Sequence, residues 1–241
     1  MENRKYNIAY ATGSRADYGI ARNYLHYLNN DSEINFSVLV TGTHLEMGYG
    51  NSLGVIEDDG FQIDLKVNIE ISASSTSAIL NSMAIAIRDF GYYFENNKFD
   101  LLIILGDRYE MMAVAIAAAM QKIPILHFHG GETTYGNYDE FIRHCITKMS
   151  RFHFASADVY RNRIIQMGEN PDSVFNMGAL GAENCLNINE QIVNKNIQEF
   201  EHKQYLVVAF HPETLTDNNL IGQINEVISA LETFLYSYDI V

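Results

Sequence analysis

Two rhythms of apolar residues alternate along the chain. Short aliphatic or β-branched runs are separated by longer stretches with a hydrophobic side chain every three or four positions. That alternation predicts βαβ units and a parallel sheet with helices on both faces. The clearest strand is "DLLIILGD", where the unbroken run Leu101 to Leu105 suits a strand covered on both sides. Further strands are expected near Asn7 to Ala11, Asn35 to Gly42, Gln62 to Val67 and in "PILHF". Helices are expected from about Asp17 to Leu28, across "TSAILNSMAIAIRDFGYYFEN" with a Ser or Thr N-cap, in the alanine-rich "MMAVAIAAAMQKI", and in "YDEFIRHCITKM". Two more units follow in "RFHFASADVYRNRIIQMG" and "SVFNMGALGAENCL".

The polar run Asn187 to Lys203 breaks this pattern and reads as a domain junction. Beyond it come a strand in "YLVVAF", a loop in "HPET", a helix in "NNLIGQINEVISALETFLY" and a strand beginning at "YDIV". The expected organisation is an N-terminal Rossmann-like domain over residues 1–182. Residues 183–241 then form a linker and the start of a second Rossmann-like domain that is incomplete.

Composition narrows the classes of function. With 47% hydrophobic residues among 241, the chain can bury a core and is not a disordered segment. A formal net charge of -14, from 30 acidic against 16 basic residues, argues against nucleic acid as a partner. It does not exclude an anionic nucleotide sugar, which needs only a few converging arginines and backbone N–H groups. Cys145 and Cys185 are expected to be small buried thiols in a reducing compartment. The opening "MENRKYNIAY" has neither signal-peptide nor membrane-anchor character, so the expected location is cytoplasmic, with no membrane partner.

Candidate chemistry concentrates where ligands sit in open parallel sheets, just beyond the carboxyl ends of strands. "ATGSRADYG" follows the first strand: Gly13 permits a tight turn, Ser14 or Asp17 can cap the helix, and Arg15 stands within reach of a phosphate. It matches neither a Walker loop nor the dinucleotide glycine fingerprint. "VTGTHLEMGYGNS" brings His44 and Glu46 after the second strand. "LGDRYE" places Asp107 and Arg108 directly after the aliphatic strand, one suited to proton transfer and the other to clamping a diphosphate.

The densest segment is "HFHGGETTYGNYDEFIRH", residues 127 to 144, and it admits two readings. In one, His127 and His129 lie on the same face of a strand and join Glu132 or His144 as metal ligands of a hydrolase. In the other no metal is involved. His129, Glu132 and Asp139 surround a sugar, Gly130 and Gly131 let the backbone approach it, and Asp139 and Glu140 open a helix whose next turn carries Arg143 and His144.

"TGSRADYG", "LGDRYE", "HFHGGETTYGNYDEFIRHCITKMSRFHF" and "AFHPET", in this order, resemble the hydrolysing UDP-N-acetylglucosamine 2-epimerases of sialic acid biosynthesis, the NeuC type. The resemblance runs along essentially the whole chain. It implies a two-domain glycosyltransferase-B-like α/β fold, no cofactor, and a dimer or tetramer. The implied reaction converts UDP-N-acetylglucosamine and water to N-acetylmannosamine and UDP. It proceeds by elimination of UDP across C1 and C2 to a 2-acetamidoglucal, followed by addition of water with inversion at C2. By matching motifs, Asp107, Asp139 and His211 are catalytic, and Arg15 and Arg108 contact UDP. Many relatives carry Glu where this chain has His129, so His129 or Glu132 takes that acid/base role. His44, Gly130, Gly131 and Arg143 are expected around the substrate. The family's second domain usually continues well past this point and supplies uridine-binding residues not found here. An inactive sugar-nucleotide-binding fragment, a metal-dependent hydrolase and a 2-epimerase for a UDP-linked diacetamido-trideoxy sugar of the legionaminic acid pathway remain as alternatives.

Overall fold

The computed structural model describes residues 4–46, 48, 50, 52–71, 75–187, 204–210 and 219–240. The chain divides into two compact units, Met1–Thr134 with Asp139–Asn184, and Tyr135–Tyr138 with Cys185–Val241.

The first unit is an α/β sandwich. Its strands are β1 (Tyr6–Thr12), β2 (Ile34–Val40), β3 (Ile63–Lys66), β4 (Leu101–Leu105), β5 (Ile125–Phe128), β6 (Phe152–Ala155) and β7 (Val174–Asn176). All pair in parallel, in the order β3-β2-β1-β4-β5-β6-β7. The helices between them are α1 (Arg15–Asn30), α2 (Ser52–Asp58), α3 (Thr76–Asn96), α4 (Tyr109–Met120), α5 (Asp139–Met149), α6 (Asp158–Gln166) and α7 (Leu180–Asn184).

The aliphatic run of β4 is explained by burial on both faces. Leu102 and Ile104 join Ala9, Ala11, Phe90, Phe94 and the alanines of α4 in one core. Ile103 and Leu105 face the other way, with Tyr10, Tyr18, Ala21 and Leu25. Ala113, Ala117 and Ala118 are small enough to let α4 lie close against the sheet and α3.

Sequence and structure differ in several details. Helix α1 starts at Arg15 rather than Asp17, because Ser14 is its N-cap and Asp17 closes a capping box with it. The Ser or Thr cap expected on α3 is present as Ser75, whose hydroxyl accepts from the Ala78 N–H at 3.2 Å. Cysteine burial was expected and is not found: Cys145 is partly exposed and Cys185 exposed.

The second unit contains β8 (Tyr205–Leu206), α8 (Leu220–Glu232) and β9 (Asp239–Ile240), and the two strands pair in parallel. The strand expected through "YLVVAF" is shorter, ending at Leu206. No residue of α8 is buried, and Ile221, Ile224 and Ile228 are exposed. The "HPET" loop with His211, and residues 188–203 of the expected junction, lie outside the described residues.

Candidate active site

Strand order reverses between β1 and β4, and at such a switch point the loops beyond the carboxyl ends splay apart into a crevice. The loops after β1 and β2 form one wall and are joined through Gly13. Its carbonyl accepts from the Thr43 N–H at 2.8 Å and the Thr43 hydroxyl at 3.1 Å. Gly42 sits at φ +65°, and a Cβ there would lie 2.2 Å from that same carbonyl oxygen.

His44 completes the brace. It is buried, with Nε2 2.9 Å from the Thr12 hydroxyl and Nδ1 3.0 Å from the Ser52 hydroxyl. Both ring nitrogens are engaged within the protein, and burial holds the ring below its ordinary pKa. Arg15 opens α1 and is exposed.

On the opposite wall, Asp107 and Arg108 follow β4. Asp107 accepts from Arg143 Nη2, and that nitrogen also donates to the Thr134 hydroxyl at 2.8 Å. Arg143 is buried on α5, with Glu140 3.7 Å from its Nη1. Its guanidinium is thus committed to tying α5 to the end of β4. Arg108 pairs through Nε with Glu110 and keeps a partly exposed side chain.

Strand β5 leads into the histidine-rich segment, and here the same-face His127/His129 pair of the alternative metal reading does not form. The strand ends at Phe128, and His129 turns into the left-handed region at φ +63° while its N–H donates to the Phe154 carbonyl at 3.1 Å. A non-glycine residue held there is a mark of local strain. His127 points into the core, with Nε2–H donating to the Gly106 carbonyl at 2.8 Å and Nδ1 3.1 Å from the Thr147 hydroxyl. Burial pushes its pKa down to about 4, so the ring is neutral. Among the described residues no three His, Cys, Asp or Glu side chains gather as a metal set.

His129 instead donates from Nδ1 to Glu132 Oε1 at 2.7 Å, and Ser156, just past β6, donates to the same oxygen at 2.5 Å. Burial alone would raise the Glu132 carboxyl, but these two donors outweigh it and hold the group below its ordinary value. Asp139, first residue of α5, behaves in the opposite way. Burial raises its pKa, and the positive charge of Arg108 opposes the rise only in part.

Gly130 and Gly131 have a packing reason. A Cβ on Gly130 would meet the Thr147 hydroxyl at 2.9 Å, and one on Gly131, at φ +76°, would meet the Tyr160 carbonyl at 2.5 Å. The loop can therefore lie against α5 and α6 only as glycine.

Asp107, Glu132 and Ser156 follow the neighbouring strands β4, β5 and β6, and Asp139 lies one helical turn before Arg143. Two carboxyls with pKa values driven apart at one sheet edge are a chemistry-bearing arrangement. Residues 26–241 match the family model described as UDP-N-acetylglucosamine 2-epimerase. The chain belongs to this family. It is 48% identical over 238 residues to an Escherichia coli polysialic acid biosynthesis protein P7, covering 97% of this chain and 60% of that protein. It is 35% identical over 236 residues to a Campylobacter jejuni GDP/UDP-N,N'-diacetylbacillosamine 2-epimerase (hydrolyzing), covering 97% of this chain and 61% of that one. A crystal structure of the Neisseria meningitidis UDP-GlcNAc 2-epimerase bound to UDP-GlcNAc superposes with a TM-score of 0.80 at 20% identity, over 97% of this chain and 64% of that chain. This 2-epimerase-family chain thus has the α/β, glycosyltransferase-B-like fold expected of it, and spans about three-fifths of the curated relatives it matches.

Sequence reasoning did not single out Ser156, Thr134 or Glu110. Ser156 had a signal, a hydroxyl directly past the strand "FHFA", beside the loop that carries Glu132. Thr134 lies in an irregular segment, where no periodicity indicates what its hydroxyl reaches.

Proposed function

We propose that the protein is a hydrolysing 2-epimerase that converts UDP-N-acetylglucosamine and water to N-acetylmannosamine and UDP. The observation that carries this reading is the opposed pair at one sheet edge, Glu132 held ionised and Asp139 biased toward its protonated form, with Asp107 between β1 and β5.

The reaction needs the C2 proton removed while the C1–O bond to UDP breaks and its electron pair leaves with the diphosphate. Water oxygen then adds at C1 of the resulting 2-acetamidoglucal, and a proton is delivered to the opposite face of C2. Glu132 suits the base, because His129 and Ser156 both occupy Oε1 and leave Oε2 outside those bonds. Asp139 suits the acid, since burial makes it retain a proton more readily. Asp107, fixed by Arg143, is assigned to the reacting face of the sugar, and Arg108 and Arg15 to the departing diphosphate. His211 is proposed as a further catalytic group from beyond the first domain. Residues 1–182 and 183–241 are proposed as the complete first domain and the linker with the start of the second.

Incubation with UDP-N-acetylglucosamine, followed by separate assays for UDP and N-acetylmannosamine, tests the reading, and release of neither product sinks it. The 35% identity to the GDP/UDP-N,N'-diacetylbacillosamine 2-epimerase favours a second substrate, the corresponding UDP-linked diacetamido sugar. Faster release of UDP from that sugar than from UDP-N-acetylglucosamine would transfer the assignment. A cytoplasmic dimer or tetramer belongs to the same proposal, and light scattering that gives only a monomer overturns that part.

A further inference from the structure

At the point where strand order reverses, the loop after β1 rests on the side chain of Glu110. A Cβ added to Gly13 would lie 2.7 Å from Glu110 Cγ and 2.9 Å from Oε1. Glu110 is the second residue of α4 and has no exposed surface. Carboxylates are almost never sunk to this depth without a counter-charge. The counter-charge here is Arg108, whose Nε donates to Oε1, while Oε2 has no hydrogen-bond partner among the described residues.

The loop after β1 starts a helix, yet the two amides just before that helix are turned to Asp17. The N–H groups of Gly13 and Ser14 both donate to Asp17 Oδ2 at 2.9 Å. Fewer amides of this loop are thus left for an anion entering between the loops after β1 and β4, and a side-chain cation there gains in weight. Arg108 is suited to it: Nε is spent on Glu110, and the four N–H bonds of its two Nη groups form no ion pair with any other described residue. An untethered arginine would have to surrender side-chain freedom on binding, which weakens the contact.

We propose that Glu110 is a positioning residue that holds Arg108 by Nε and presents its Nη edge, already oriented, to the diphosphate of the nucleotide sugar. This rests on the diphosphate role given to Arg108 above. Glu110 does not touch the ligand. The space under Gly13 is occupied by its own Cγ and Oε1, which closes that path to the crevice.

The test is calorimetric titration of the protein with inorganic pyrophosphate. Glu110→Met fills the site without accepting a hydrogen bond, and Glu110→Gln retains the acceptor. The Met variant should bind about tenfold more weakly, as should Arg108→Ala, while the Gln variant stays within about threefold of the parent. Glu110→Met combined with Arg108→Ala should be no weaker than Arg108→Ala alone, because both changes remove one interaction. Losses that multiply in the double variant, or parental affinity in Glu110→Met, overturn the positioning role and leave the proposed reaction untouched. Failure of the parent protein to bind pyrophosphate overturns the diphosphate role of Arg108 and this inference with it. If Glu110→Met does not fold, Arg108→Lys decides. Lysine lacks the Nε–H and fork that Glu110 grips, so it should bind as weakly as the alanine variant, and parental affinity overturns the proposal.

Discussion

Asp107, at the end of β4, accepts from Arg143 on α5, a residue 36 positions away that is itself buried. This bond fixes the angle at which the carboxylate leaves the sheet. Asp107→Asn keeps the shape and removes the charge, so turnover of the UDP-sugar should fall by about two to four orders of magnitude. The circular dichroism spectrum should be retained. Unchanged turnover would take Asp107 out of the chemistry.

His127 makes stability acid-sensitive. Its ordinary pKa is 6.5 and burial lowers it to about 4 in the folded protein. Below pH 6.5 the unfolded chain takes up a proton that the folded ring refuses. The contribution is therefore complete above pH 6.5 and is lost as pH falls toward 4, by about 3 kcal/mol in total. Urea unfolding at pH 7.5 and 4.5 should show this loss. The His127→Gln variant, less stable at pH 7.5, should show a smaller one, whereas equal losses in both proteins would exclude His127 as a source.

Asp139 has the opposite sign. Its pKa is raised above the ordinary 3.8, so as pH rises past that value the unfolded chain releases its proton first and stability declines. Asp139→Asn removes the penalty of burying the charge. The variant should melt higher than the parent at pH 7, lose that advantage near pH 3, and turn over substrate far more slowly, since groups placed for chemistry are seldom placed for stability. A melting temperature at pH 7 below that of the parent would contradict the burial argument.

Gly42 has no room to change. Its φ of +65° disfavours any side chain, and a Cβ would collide with the Gly13 carbonyl at 2.2 Å. Gly42→Ala should cost about 2 kcal/mol or more in urea unfolding. Gly50→Ala, at φ +87° but with open space around it, should cost less.

The sheet was readable because β4 must be aliphatic on both faces, and α3 because its period and N-cap agree. The places of Asp107 and Glu132 after β4 and β5, and of Asp139 at the start of α5, were also readable, since they follow from the strand and helix patterns themselves. What each polar group holds was not. His127 and His129 alternate as a same-face pair only if the strand continues, and a left-handed turn at residue 129 sends one into the core and the other to Glu132. Gly130 and Gly131 looked like space for a ligand, but the atoms needing that space belong to α5 and α6, more than a dozen residues away in sequence. Long-range partners such as Ser156 and Arg143 leave no trace in local periodicity.

The shared use of Gly13 gives the wall formed by the loops after β1 and β2 a mechanical character. With Thr43 gripping its carbonyl, Glu110 beneath its α-carbon and Asp17 holding its amide, the residue is clamped from three directions. A guest arriving at this edge meets a surface already set, so little ordering entropy remains to be surrendered there. Under the proposed function, adaptation to differently shaped sugars would fall to the side of the crevice built from β5 and α5, and selectivity would have to be tuned there.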